Sequence, residues 1–281
     1  MMGLRPNLVL LRAGDTSIHP AWLQVSRERN WDLIVNYFGD DPDIFRDHCI
    51  RIDNKGAKLP GLFECITNNR ELLTKYRYIW LPDDDLACKG DDITKMFELV
   101  ESGGYQLAQP SLTHDSYFSH ALTVHNPMFK MRYTSFIEIM APCFESGFLD
   151  HLLPTFNLNI SGWGVDHLWS QMLRSSDVRV GVIDEIQIRH TRPVGGGQLY
   201  SLLKGRTAEE EMAELFELNK VPRRYLKIHS AVTTSGKALS HGFRLWILHG
   251  MGLLSAGRKC KMSRFQFLHM WTTAMWHQLV D

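Results

Sequence analysis

The chain has 281 residues, 44% hydrophobic and 22% charged, with a formal net charge of zero. That length suits one large α/β domain with an appendage, and it buries enough surface to pack a core without disulfide support. Neutrality excludes a general nucleic-acid binder, which needs a basic excess. Five scattered cysteines, with no Cys-x-x-Cys pair, exclude a zinc ribbon or a disulfide framework.

Leu8 to Leu11 reads as a buried strand, and Ala21, Trp22 and Val25 as a helical turn. Trp31 to Phe38 is a second strand, stopped by Gly39-Asp40-Asp41-Pro42, and Cys49 to Ile52 a third. Leu62, Phe63, Ile66, Leu72 and Leu73 recur at helical spacing, and Tyr76 to Leu81 is a fourth strand. This alternation predicts a Rossmann-like, mainly parallel central sheet flanked by helices. Ligands of such sheets sit beyond the carboxyl ends of the strands. Asp92 is placed to cap a helix with Ile93, Met96, Phe97 and Val100 on one face, closed by Gly103-Gly104. Gln106 to Gln109, Ala121 to Val124 and Phe136 to Met140 read as short strands among loops. Val165, Leu168, Trp169, Met172 and Leu173 form a helical stripe, Val178 to Ile183 and Ile186 to Ile188 are β-like, and Gly195-Gly196-Gly197 is a loop. Near residue 200 the character changes, which divides the chain into an α/β domain over 1–200 and a helical extension over 201–281. Thr207 and Glu210 spell a capping box for a helix running through Leu218. The apolar run after the first six residues is too short for a secretory signal. No segment reaches the roughly 18 apolar residues of a membrane span. The expectation is a cytoplasmic protein.

The chemistry concentrates in three places. Tyr78-Ile79-Trp80-Leu81-Pro82 runs straight into Asp83-Asp84-Asp85. Like charges cluster at a cost unless a cation is near, and Mg²⁺ or Mn²⁺ takes carboxylate oxygens together with substrate phosphates. An acidic turn capping the next helix would look similar, but Asp91-Asp92 already stand there. In Ser161-Gly162-Trp163-Gly164-Val165-Asp166, the glycines let the backbone bend and present Trp163 to a sugar face. Asp166 either complements a helix dipole or serves as a general base. His190 ends a β-like run, where an isolated histidine more often has no ligand role. Lys55 and Lys58, in a Gly-containing loop, are placed to reach phosphates. Glu138, among apolar residues, needs a partner or an acceptor-sugar contact. His114, Asp115 and His120 are candidates for an acceptor loop.

Asp-x-Asp after a strand, Gly-Trp-Gly-x-Asp some eighty residues on, then a strand-end histidine: together these resemble the GT-A glycosyltransferases. The resemblance implies that Asp83, Asp85 and His190 hold Mn²⁺ or Mg²⁺. It implies that Arg12, Gly14, Lys58, Asp83 and Asp84 bind the nucleotide sugar, with Asp84 toward its ribose or sugar. Asp166 would be the base of an inverting reaction, and Glu138, Trp163, Gly164 and His114 would face the acceptor. A closer resemblance, over about residues 7–195, is to an uncharacterised plant and bacterial family assigned to the GT-A clan. It rests on Tyr76 to Asp85, Gln109-Pro110, Glu138 to Phe144, Trp163 to Asp166, and Gly181-Val182-Ile183-Asp184 to His190. Plant members tend to carry a Glu in the acidic run, where this chain has three Asp, which blurs which two ligate.

The implied reaction moves a sugar from a nucleotide-sugar donor to a hydroxyl of a glycan or lipid-linked glycan. Two alternatives stay open: another metal-dependent nucleotidyltransferase or phosphohydrolase, or a non-catalytic binding protein with this fold. Arg258, Lys259, Lys261 and Arg264 lie beside an apolar stripe of Phe265, Leu268, Met275, Trp276 and Leu279. That pattern suits peripheral contact with the inner face of a membrane, or packing on the domain or in a homodimer.

Overall fold

The computed structural model describes residues 4–173, 177–195, 202–222, 226–257 and 260–280. In chain order the strands and helices are β1 (Asn7–Ala13), β2 (Trp31–Tyr37), β3 (Ile50–Asp53), α1 (Lys58–Asn68), α2 (Arg70–Leu73), β4 (Tyr78–Trp80), β5 (Leu86–Ala87) and α3 (Gly90–Gly103). There follow β6 (Leu107–Leu112), β7 (Phe129–Thr134), β8 (Cys143–Glu145), α4 (Ser146–Leu152), α5 (Val165–Met172) and β9 (Val180–His190). The chain closes with α6 (Ala208–Leu218), β10 (Ile228–Thr233), β11 (Ala238–Ser240), α7 (Phe243–Ala256) and α8 (Arg264–His277). The triple glycine at 195–197 and the basic pair Arg258-Lys259 fall partly or wholly outside the described residues, as does the boundary near 200.

One sheet runs in the order β11-β10-β7-β9-β6-β8-β4-β1-β2-β3, with β5 pairing β9 to one side. Strands β3, β2, β1 and β4 are mutually parallel, as the βαβ rhythm predicts. Beyond β4 the sheet is mixed: β6 and β9 are parallel, but β8, β7, β10 and β11 join antiparallel. Loops and hairpins bring these strands in, and such connections leave no helical crossover to signal them.

Both faces of the sheet are covered, so the central strands are buried throughout. Along β1, Val9, Leu11 and Ala13 enter one core and Leu8 and Leu10 the other. Strand β4 alternates likewise, Trp80 against Ile79. Gly104 closes α3 with φ 61°, the left-handed conformation that glycine adopts freely. Asp91 and Asp92 fall in the first turn of α3, whose cap is Lys89; Asp91 instead accepts from Ser26. The Thr207–Glu210 capping box opens α6.

Three local expectations give way. Ala121 to Thr123 form a 3-10 turn and residues 135–142 a loop, because the Arg132 guanidinium and the Gln109 amide take up backbone groups there that a ladder would otherwise pair. The segment beyond 201 is not wholly helical: β10 pairs with β7 and extends the main sheet.

The Asp184 of the Gly-Val-Ile-Asp segment has a structural role. Its carboxylate holds Arg132 of the neighbouring strand at 2.6 Å and 2.7 Å, both side chains being fully buried, and accepts from the Asn126 amide. Removing one member of a buried pair strands the other charge, at a cost of about 3–5 kcal/mol. Asp184→Ala is therefore expected to lower the urea midpoint sharply, and an unchanged midpoint would show that the pair is not what joins β7 to β9.

Candidate active site

A cleft of about 1250 Å³ opens beyond the carboxyl ends of β1 and β4. It gathers Arg12, Gly14, Lys58, Asp83, Asp84, Asp85, Glu138, Trp163, Gly164, Asp166 and His190, from segments far apart in the chain. His114 is not among the described residues that line it. Its Nε2 meets the His125 carbonyl at 2.9 Å, so the acceptor contact expected of it is replaced by a bond within the protein. Asp115 pairs with Arg189, while His120 does reach the cleft.

The acidic triplet divides by direction. Asp83 is paired with Lys58, which opens α1 and also donates to the Ile139 carbonyl at 2.6 Å. Asp84 points its carboxylate at the first loop: Oδ2 accepts from Gly14 N at 2.9 Å and Oδ1 meets Arg192 at 3.2 Å. Each of its oxygens has one partner within the protein, so Asp84 ties the Gly14 loop to Arg192 while it lines the cleft. Burial pushes its carboxyl up to about 6. Asp85 lies 3.2 Å from His190 Nε2 and accepts from the Arg192 amide. Burial raises the Asp85 carboxyl, but the hydrogen bond and charge of His190, with Arg192, outweigh it and hold it below the usual range.

His190 is anchored through one ring nitrogen. Its Nδ1 donates to the Tyr117 carbonyl at 2.8 Å, which leaves Nε2 facing Asp85. There Nε2 needs a second proton or a metal ion between itself and the carboxylate. One ligand atom each from Asp83, Asp85 and His190 lie within 4.8 Å of one another. Two hard oxygens and an imidazole whose far nitrogen is anchored match the donor set and outer-shell pattern of a divalent-cation site.

Arg12 is a support. Its guanidinium donates to Asn36 Oδ1 at 2.6 Å and to the carbonyls of Asn54 and Gly56 at 2.8 Å and 2.7 Å. It is 3% exposed, and its bonds to the Asn54 and Gly56 carbonyls brace the loop that precedes Lys58 at the edge of the cleft. Lys55 donates to the carbonyl of Phe38 at 2.9 Å and pairs with Asp40.

Across the cleft, Gly162 (φ 77°) and Gly164 (φ 84°) turn the chain into α5. A Cβ on Gly164 would stand 2.7 Å from Phe216 Cε1, so α6 packs directly on this turn. The turn places Asp166 in the first turn of α5, 5% exposed, with Oδ1 accepting from the His167 amide. Burial pushes its carboxyl up to about 7. Glu138 is pushed up to about 8, by burial first and then by the charge of Asp166. Both carboxyls are thus held well above the usual carboxylate range inside the cleft.

These two carboxyls set a pH dependence of stability. Their unfolded values lie near 4, so the folded chain holds extra protons up to about pH 8. The stability this brings is present at low pH and lost as pH rises through about 7 to 8. Buried histidines such as His19 and His120, whose pKa burial lowers, act in the opposite sense only below their ordinary value of 6.5. Metal-free melts between about pH 7 and 8.5 are thus expected to show a falling melting temperature, with a flatter profile for Glu138→Gln. A parent profile that is level or rising would contradict the assignment.

Sequence reading missed Arg192, which bridges Asp84 and the Thr16 carbonyl, and His167, which packs against both His120 and Phe136. The Arg-His-Thr-Arg run at 189–192 was the available signal.

No family model and no curated protein matches the chain. Solved structures do. S. aureus TarS (residues 1–349) aligns over 97% of this chain and 71% of its own, with a TM-score of 0.51 and 8% identity. GalNAc-T7, solved with UDP, GalNAc and Mn²⁺, aligns over 77% of this chain with a TM-score of 0.53 and 8% identity. This chain spans about half of that protein, 48% of its length. At such identity the likeness is one of architecture: the chain has the central-sheet α/β fold of the GT-A glycosyltransferases, continued by C-terminal helices.

Proposed function

We propose that this chain is a metal-dependent glycosyltransferase that moves a sugar from a nucleotide-sugar donor to a hydroxyl of a glycan or lipid-linked glycan. The observation that carries the reading is the convergence of Asp83, Asp85 and His190 on one point, with His190 anchored through its far nitrogen. It lies in the same cleft as a buried carboxyl with a neutral pKa, Asp166. Mn²⁺ or Mg²⁺ bound there supplies Lewis-acid neutralisation of the leaving diphosphate. The Mn²⁺ in GalNAc-T7 supports the choice of ion.

The protein's own groups do the rest. Arg12 and Asp84 fix the two loops on the donor side, and Lys58 adds positive charge beside Asp83. Asp166 takes the proton of the incoming hydroxyl, and attack from its side of the sugar inverts the anomeric centre. Trp163, Glu138 and His120 line the acceptor side of the cleft.

No helix among the described residues is long and apolar enough to cross a membrane. In α8, Met275 turns inward against Gly250 while Phe265, Leu268 and Trp276 stay exposed. Those exposed side chains support peripheral attachment at a lipid surface, which vesicle flotation would test.

The function is tested by incubating the full chain with a panel of nucleotide sugars and Mn²⁺ and measuring nucleoside diphosphate release. One donor should be turned over in the presence of the ion and spared in chelator. Equal release in chelator would contradict metal dependence, and release of a nucleoside monophosphate would favour a phosphohydrolase.

A further inference from the structure

We propose that His19 Nε2, His48 Nε2 and Cys49 Sγ form a second metal site, for a borderline-soft cation of the zinc class, behind the donor-side wall of the cleft. Their ligand atoms lie within 4.8 Å of one another, a grouping separate from the Asp83 cluster. His19 sits in the 3-10 turn after β1, and His48-Cys49 directly precede β3.

The hydrogen-bond pattern fixes which nitrogen of His19 is free. Ser17 Oγ donates to the Asp84 carbonyl at 3.3 Å and so accepts from His19 Nδ1–H at 2.8 Å. The lone pair of His19 is then on Nε2, and Nε2 faces His48 Nε2 at 3.3 Å. Two nitrogens in a tetrahedral zinc shell, each about 2.05 Å from the ion, stand about 3.3 Å apart. A ligating histidine held through its other nitrogen by a polar partner is the usual outer-shell arrangement. His19 is fully buried, so its imidazole is shielded from bulk water. The Phe45 ring packs edge-on at 4.4 Å and holds the imidazole in place. His48 is exposed, which leaves the fourth position to water.

Cys49 now donates its thiol proton to the Phe45 carbonyl at 3.0 Å. Ligation replaces that S–H bond with a sulfur–metal bond, and the proton passes to solvent. Imidazole and thiolate select zinc, whereas the carboxylates of the cleft select Mn²⁺ or Mg²⁺, so the two sites sort their ions by ligand softness. A zinc ion here ties the loop of Gly14 to Thr16 to the connection that carries Phe38 and Asp40. Both segments line the cleft.

The test is titration of the chelator-treated full chain with Co²⁺, read by absorbance, and with Zn²⁺, read by melting temperature. Equimolar Co²⁺ should produce a thiolate-to-cobalt charge-transfer band, and Zn²⁺ should raise the melting temperature. Cys49→Ser should lose the band. His48→Ala, at an exposed position that should not disturb folding, should weaken zinc binding by at least about tenfold. Asp85→Asn should leave the band intact, since the cleft site has no sulfur. Absence of a band at equimolar Co²⁺, or its survival in both Cys49→Ser and His48→Ala, would overturn the site and leave a histidine–histidine hydrogen bond.

Discussion

Asp166→Asn is expected to lower the rate of sugar transfer by about 10²- to 10⁴-fold, the usual contribution of a positioned general base, without weakening donor binding. The substitution keeps the shape of a side chain buried at the start of α5 and removes only its ability to take a proton. Stability should not suffer. The Asp166 carboxyl is pushed up to about 7 by burial, so its ionised form is the one the fold disfavours. At pH 8 the variant should melt no lower than the parent. A second signature belongs to the parent alone. Activity needs the ionised carboxylate, so kcat/KM should rise with pH up to about 7 and then level. That limb should vanish in Asp166→Asn. A variant that keeps transfer within a few-fold of the parent would remove Asp166 from the chemistry. If it lost transfer to sugars but kept donor hydrolysis, the site would still be one for donor turnover.

The second large effect concerns the metal cluster. Asp83→Ala and Asp85→Asn are each expected to slow transfer by about a thousandfold, or about 4 kcal/mol of transition-state charge stabilisation. The two differ in what else they disturb. Asp83→Ala leaves Lys58 without its carboxylate partner, while Asp85→Asn keeps an oxygen for the Arg192 amide. The Asn variant therefore reports the lost charge with the junction between the triplet and β9 preserved. Raising Mn²⁺ should rescue Asp85→Asn in part if the other two ligands still hold the ion. Unchanged activity in both variants would sink the ligand assignment.

The parts of the fold legible in the sequence were those whose local pattern agrees with their tertiary setting. Strand β1 is buried on both faces and reads as an unbroken apolar run; Gly104 and the Thr207–Glu210 box end and begin helices by local backbone chemistry. The antiparallel half of the sheet was not legible, because a three-residue strand such as β8 carries no periodicity of its own. Glu138 looked like a strand residue; it is in a loop whose amide is held by Gln109, a contact across 29 positions that no window can see. The site was legible wherever residue type limits the role. Two aspartates flanking a third, and an aspartate after a Gly-Trp-Gly turn, stand out by type, and the fold brings both to one cleft. Arg12 and Asp84 both line the cleft, and only the geometry shows that each is also engaged by the protein. Asp184, given no role by the sequence beyond its place in the Gly-Val-Ile-Asp segment, is the buried partner of Arg132.

On the proposed function, the cleft holds a cation and a nucleoside diphosphate together at Asp83, Asp85 and His190. The most direct measurement of that claim is the melting temperature of the full chain with nucleoside diphosphates, with and without Mn²⁺. At a ligand concentration of about 100 Kd, binding stabilises the folded state by about 2.7 kcal/mol, which for a chain of this size is a rise of about 5 °C. The account predicts that rise for at least one nucleotide with Mn²⁺, its loss in chelator, and its loss in Asp85→Asn. A shift of the same size without the ion, or no shift with any nucleotide in either condition, would contradict it.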